Sequence, residues 1–128
     1  MTETRARDSH VLLVEDDPVV AEMYRGRLAL DGYRVTVASD GEAALRAASA
    51  CPPDIVILDY RLPKMDGPAV LQALRADQRT RAVRVVVLSA YDEPSIVEEG
   101  ISLGAVSWLV KSKVTPPELV RRVRSLIA

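Results

Sequence analysis

The sequence predicts a doubly wound α/β domain, with five parallel strands in the order 2-1-3-4-5 flanked by five helices. Three observations carry the parallel α/β class, and the order is a common one for such sheets. Short apolar runs alternate with helical patterns along 128 residues, as consecutive β-α units require. The run Asp54-Ile55-Val56-Ile57-Leu58-Asp59 has four apolar residues in succession, which fits a strand buried on both faces rather than one with a wet face. The chain is also long enough to bury a real core, and its 48% hydrophobic and 27% charged content suits a globular domain.

Residues 1–9 form a polar lead with Arg5 and Arg7, and no apolar segment of signal-peptide length follows them. His10 to Val14 is the first strand, ending at Glu15-Asp16-Asp17-Pro18. Asp17 before Pro18 is the expected N-cap of a helix with Pro at its first position, which leaves Glu15 and Asp16 unexplained by capping. Val19, Val20, Met23, Tyr24 and Leu28 recur at helical spacing until Asp31-Gly32. Tyr33, Val35 and Val37 alternate with Arg34 and Thr36, which predicts a half-exposed edge strand.

Asp40-Gly41 opens a second helix, with Ala44, Leu45, Ala48 and Cys51 on one side, and Pro52-Pro53 stops it. The central strand follows. Pro63 and Gly67 then hold a loop before the third helix, whose stripe is Val70, Leu71 and Leu74. The fourth strand runs from Val83 to Leu88 and ends at Ser89-Ala90. Asp92-Glu93-Pro94 starts the fourth helix, which contains Ile96, Val97, Ile101 and Leu103. Gly100 in its interior should weaken it by about 1 kcal/mol relative to Ala, making it the helix expected to move. Val106 to Val110 is the fifth strand, closed by Lys111. Thr115-Pro116-Pro117-Glu118 is a capping box for the last helix, with Leu119, Val120, Val123 and Leu126 or Ile127 inward.

Composition excludes several function classes. A net charge of -1 offers no basic field for nucleic acid. The single Cys51 excludes an internal disulfide and suits a reducing compartment. No apolar run approaches the roughly 20 residues needed to cross a bilayer. A cytoplasmic location is expected, with neither nucleic acid nor membrane as partner.

In such sheets, ligands bind beyond the carboxyl ends of the strands. Those ends carry Glu15 and Asp16, Asp59, Ser89 and Lys111 on strands one, three, four and five, so these side chains converge. Three carboxylates in one crevice repel, and a hard cation with oxygen ligands relieves that; Mg²⁺ is favoured because it needs few carboxylates and often takes phosphate oxygens. A carboxylate can also be the nucleophile that forms an aspartyl phosphate, with Lys111 neutralising charge and the Ser89 hydroxyl donating to a phosphoryl oxygen.

At these residues the chain resembles the receiver domains of two-component response regulators, from His10 to Ala128. The motifs are Leu12-Leu13-Val14-Glu15-Asp16-Asp17-Pro18, Asp59 with Leu62-Pro63-Lys64-Met65-Asp66-Gly67, Leu88-Ser89-Ala90, Gly104-Ala105 and Leu109-Val110-Lys111. The resemblance implies the flavodoxin-like form of the fold over 10–128, and since no residues follow the fifth helix a single-domain, CheY-like organisation with no output domain is expected. It implies that Asp59 accepts a phosphoryl group from a sensor histidine kinase. Glu15, Asp16, Asp59 and the backbone carbonyl of Arg61 would bind Mg²⁺, Ser89 and Lys111 would contact the phosphoryl group, and Trp108 would be the switch aromatic. Arg61 and Tyr91 match positions that tune phosphoryl lifetime, and their bulk and the charge of Arg61 suggest a screen against water.

Two features depart from the family pattern. Lys111 is followed by Ser112, where the family usually has proline across a cis bond. A cis bond before a non-proline residue costs about 2.5–4 kcal/mol, so a trans or strained loop is expected. Trp108 stands where Tyr or Phe is commoner.

The expected function is a phosphorylation-dependent switch acting through the surface of helix four, strand five and helix five. Its chemistry would be limited to Mg²⁺-dependent self-phosphorylation and autodephosphorylation, not turnover as an enzyme. The signal would pass to a downstream protein partner, into a homodimer through that surface, or onward to a histidine phosphotransfer protein as a phosphorelay intermediate. A non-phosphorylated structural receiver module is a further alternative. A Mg²⁺-dependent phosphatase resembling the dehalogenase group is disfavoured, because the second Asp it carries two residues after its nucleophile is here Arg61.

Overall fold

The computed structural model describes residues 9–127, so most of the polar lead, 1–8, lies outside the described residues. Strands β1 (His10–Val14), β2 (Arg34–Ala38), β3 (Ile55–Leu58), β4 (Arg84–Ser89) and β5 (Ser107–Val110) form one parallel sheet in the order β2-β1-β3-β4-β5. The helices between and after them are α1 (Pro18–Leu30), α2 (Gly41–Ala50), α3 (Gly67–Ala76), α4 (Pro94–Ser102) and α5 (Pro116–Ile127). A 3₁₀ turn, Lys111–Lys113, follows β5.

The three inner strands alternate their side chains between two cores. Leu12, Val14, Val56, Leu58, Val85 and Val87 point to one face and meet α2, α3 and the partly buried Ile96 and Leu103 of the α4 region. Val11, Leu13, Ile55, Ile57, Val86 and Leu88 point to the other and meet α1 and α5. All four residues of β3 are fully buried, which accounts for their unbroken apolar run.

Local chemistry sets the helix starts. Asp17 Oδ1 accepts from Val19 N at 2.9 Å and Val20 N at 3.3 Å, as its place before Pro18 predicts. The capping box closes reciprocally: Thr115 N donates to Glu118 Oε1, and Glu118 N to Thr115 Oγ1.

Several expectations need correction. The inward stripe of α1 is Ala21, Tyr24 and Leu28, while Val19 is 77% exposed and Met23 47%. Capping at Asp17 fixes where the helix begins, and that phase turns Val19 and Met23 away from the sheet. Cys51 is exposed, because it leaves α2 with extended backbone and so departs from the Ala44/Ala48 stripe. Tyr33 precedes β2 rather than lying in it. Val83 and Val106 likewise fall just outside their strands, and Ser89 is the last residue of β4. Ile101 of α4 is exposed, and Gly100 is that helix's buried residue.

Among the described residues every peptide bond is trans, Lys111-Ser112 included. None of the described helices is long and apolar enough to cross a membrane.

Candidate functional site

Parallel pairing places the carboxyl ends of β1 and β3 level, with Val14 opposite Leu58. Asp59 N then donates to Val14 O at 3.0 Å, and Glu15 N donates to Ala38 O at 3.0 Å. The two acids are held at one height beyond the sheet by backbone bonds, before any side-chain interaction is counted. Glu15 and Asp59 are buried, and Asp16 is exposed at the rim. One carboxylate oxygen from each of the three lies within 4.8 Å of the others. An all-oxygen set of this charge suits a hard divalent cation.

Lys111 reaches the same crevice from the end of β5. Its Nζ is 2.7 Å from Glu15 Oε1 and 3.0 Å from Asp59 Oδ2. Burial pushes the Glu15 carboxyl above the usual range, against the opposing effects of the Lys111 and Asp17 hydrogen bonds. Burial of Lys111 works against its charge, but hydrogen bonds to Glu15 and Asp59 outweigh it and hold the amine above the ordinary lysine value. The crevice therefore keeps a fixed positive charge against buried acid.

The other Asp59 oxygen, Oδ1, accepts from Arg61 N at 3.2 Å, within a loop braced by Leu62 N donating to Asp66 Oδ1 at 2.9 Å. The loop turns back on itself closely. Gly67 N donates to Tyr60 O, and a Cβ at Gly67 would stand 2.7 Å from the Tyr60 backbone, so only glycine fits there. Lys64 takes positive φ, 65°, in the same loop.

Ser89 is fully buried at the end of β4, opposite Val110 and thus beside the strand end that carries Lys111. Its Oγ accepts from Tyr91 N at 3.0 Å. Trp108 does not point into the acid crevice. Its Nε1 donates to Tyr91 O at 2.9 Å, and its ring meets Tyr60 edge-on with centroids 4.8 Å apart. Arg61 and Tyr91, expected near the acceptor, come together: the guanidinium carbon lies 5.0 Å from the Tyr91 ring centroid.

The Tyr60–Glu99 pair was not singled out from the sequence, and Gly100 was read there only as a weak point of its helix. Tyr60 OH donates to Glu99 Oε1 at 2.6 Å, joining the residue after Asp59 to α4. Gly100 makes room for the Trp108 indole: a Cβ there would overlap Cζ3 and lie 2.9 Å from Cε3. A glycine inside a helix was the available signal, but it reads equally as a weak point until the facing residue is known.

Residues 11–124 match the family model described as "Response regulator receiver domain". The transcriptional regulatory protein PrrA of Mycobacterium tuberculosis is 41% identical over 126 residues, covering 98% of this chain and 52% of that protein. The DNA-binding response regulator MtrA of Mycolicibacterium smegmatis is 40% identical over 115 residues, 90% of this chain and 49% of that protein. The chain thus spans about half the length of the curated relatives it matches.

Among solved structures, chemotaxis protein CheY4 of Vibrio cholerae superposes with a TM-score of 0.87 at 29% identity, covering 93% of this chain and 98% of that one. The receiver domain of sensor histidine kinase PA1611 from Pseudomonas aeruginosa, described with a magnesium ion in its active site cleft, gives 0.86 at 32% identity, covering 94% and 98%. The matched span, the sheet order and the acid crevice agree, and the chain belongs to the response regulator receiver domain family.

Proposed function

We propose that this receiver domain is a phosphorylation-controlled switch in which Asp59 accepts a phosphoryl group from the phosphohistidine of a sensor histidine kinase. An Asp59 oxygen attacks phosphorus, a P–O bond forms, the P–N bond to the kinase imidazole breaks, and the departing nitrogen is left to take up a proton. The observation that carries this is the buried Asp59 carboxylate facing a lysine ammonium at 3.0 Å, with Glu15 and Asp16 oxygens beside it.

Glu15, Asp16, Asp59 and the Arg61 backbone carbonyl are the groups that would hold Mg²⁺. When bound, the metal would offset phosphoryl and carboxylate charge. Lys111 contributes a fixed positive charge, and the Ser89 hydroxyl donates to a phosphoryl oxygen. Arg61 and Tyr91, paired with the guanidinium carbon 5.0 Å from the ring centroid, are the proposed screen that slows attack by water on the acyl phosphate.

Ser89 is tied to Tyr91, and Tyr91 to Trp108, so drawing Ser89 toward a phosphoryl group disturbs the contacts that seat Trp108. The output face is then α4, β5 and α5, and on its β5–α5 side Trp108, Lys113, Glu118, Arg121 and Arg122 line a groove of ≈ 420 Å³. A downstream protein or a second copy of the domain binds there. PrrA, named as a transcriptional regulatory protein, and MtrA, named as a DNA-binding response regulator, support a transcriptional end-point for the signal.

The test is intact mass after incubation with acetyl phosphate and Mg²⁺, with Asp59→Ala and a magnesium-free sample alongside, while the emission of Trp108, the sole tryptophan, is followed. One added phosphoryl group that needs both Asp59 and Mg²⁺, with an emission change, is expected. Addition without a Trp108 response would replace the switch with a relay that hands phosphate onward, and no addition would leave a structural module.

A further inference from the structure

Helix α4 is joined to the acceptor region by two separate connections that meet at Trp108. One runs through the β4–α4 loop, from Ser89 Oγ to Tyr91 N and from Tyr91 O to Trp108 Nε1. The other starts at Tyr60, the residue bonded directly to Asp59. Tyr60 is only 3% exposed, and its backbone is pinned by Gly67, so it cannot easily change place. From that fixed base it does two things: its edge packs against Trp108, and its hydroxyl donates to Glu99 Oε1 on α4 at 2.6 Å.

The next residue of α4, Gly100, has no side chain and lies against the same indole. Trp108 is therefore clasped between Tyr60 and the backbone of α4, and the Tyr60–Glu99 bond ties the two jaws together. In this bond the Tyr60 phenol is the donor and a Glu99 carboxylate oxygen the acceptor. Apart from this bond, α4 is held by the partly buried Ile96 and Leu103, with no fully buried large side chain of its own. Its N-cap Glu93 makes no side-chain capping bond, Ile101 is exposed, and its buried residue is a glycine.

We propose that Tyr60 and Glu99 are a positioning pair, a polar latch that holds α4 closed over Trp108 in the unphosphorylated domain and so sets the resting population of the released face. This rests on the receiver reading above and adds a brake to it. The Ser89–Tyr91 connection would transmit the signal, while the latch would determine how rarely α4 opens without one. Release of α4 requires the Tyr60 hydroxyl and Glu99 to part, so the bond favours the closed form by differential interaction with the two states.

The experiment is amide hydrogen exchange of α4, with α1 as internal reference, and acrylamide quenching of Trp108, all on the unphosphorylated domain. Tyr60→Phe keeps the ring and its packing but removes the hydroxyl. Glu99→Ala removes the acceptor, and Glu99→Gln keeps an acceptor oxygen. Since the bond is only partly buried, Tyr60→Phe and Glu99→Ala are each expected to speed α4 exchange about five- to tenfold, with greater quenching and α1 unchanged. Glu99→Gln should stay near the parent, and the double variant Tyr60→Phe/Glu99→Ala should open α4 no further than either alone.

Parent-like α4 exchange in Tyr60→Phe would overturn the latch. Equal acceleration of α1 and α4 would also overturn it, because that is general destabilisation, as would Glu99→Gln behaving like Glu99→Ala. No phosphoryl donor is present in these measurements. Failure of the latch would leave Asp59 labelling intact, and failure of Asp59 to take up phosphate would leave the exchange rates as they are.

Discussion

Replacing Gly100 with Ala separates helix propensity from packing, because the two predict opposite signs. Propensity favours Ala in a helix interior by about 1 kcal/mol. In the folded domain the new Cβ overlaps Cζ3 of Trp108 and lies 2.9 Å from Cε3, so either the indole stays and the contact is overpacked or the indole swings out. Overpacking costs about 1–3 kcal/mol. Swinging out forfeits the edge-on contact with Tyr60, about 0.5–1.5 kcal/mol, and the Nε1 bond to Tyr91 O, about 1 kcal/mol.

Either route exceeds or cancels the propensity gain, and the expected net effect is a loss of about 1 kcal/mol. For a domain of this size that lowers Tm by about 3–5 °C. Thermal and urea unfolding give the stability, and Trp108 emission reports the ring's new surroundings. In a double-mutant cycle, Trp108→Phe should absorb most of the Gly100→Ala penalty, since the shorter ring vacates the space. A Gly100→Ala domain that is more stable by about 1 kcal/mol, with parent-like Trp108 emission, would refute the packing argument.

Mg²⁺ should raise Tm by linkage, worth about 1 kcal/mol at five times its dissociation constant, and Asp16→Asn should abolish the shift; equal shifts in parent and variant would remove the acid cluster from metal binding. Loss of phosphate from the labelled domain should quicken about two- to fivefold in an Arg61→Asn, Tyr91→Ala variant, the opening expected when an exposed cation–π contact is lost. An unchanged decay rate would refute the screening role. His10 is held below its ordinary value by burial, then by the Arg34 charge, with Asp54 opposing. Its unfolded form thus binds more protons just below pH 6.5, so its contribution to stability is complete above that pH and declines as pH falls toward the folded value. Urea titrations in that window should show a shallower pH slope for His10→Gln than for the parent.

The parallel α/β class and the places of Glu15, Asp59, Ser89 and Lys111 were legible because they follow from one-dimensional rules: apolar runs make buried strands, and parallel crossovers align their carboxyl ends. Helix starts at Asp17 and Thr115 were legible for the same reason, since a cap and the amides it serves lie within three residues. The facing of Val19 and Met23 was not. A helix with apolar residues on both sides does not announce its phase, and the sheet selected Ala21, Tyr24 and Leu28.

Contacts across elements decided the rest. Tyr60 and Glu99 are 39 residues apart, and Gly100 of α4 lies against a tryptophan on β5. By itself the sequence determined which chemistry gathers at the strand ends, because backbone pairing carries those residues there whatever their side chains do. Only the tertiary structure decided how α4 is fastened to that chemistry, because the fastening is made by side chains whose meeting depends on how a helix packs on the finished sheet.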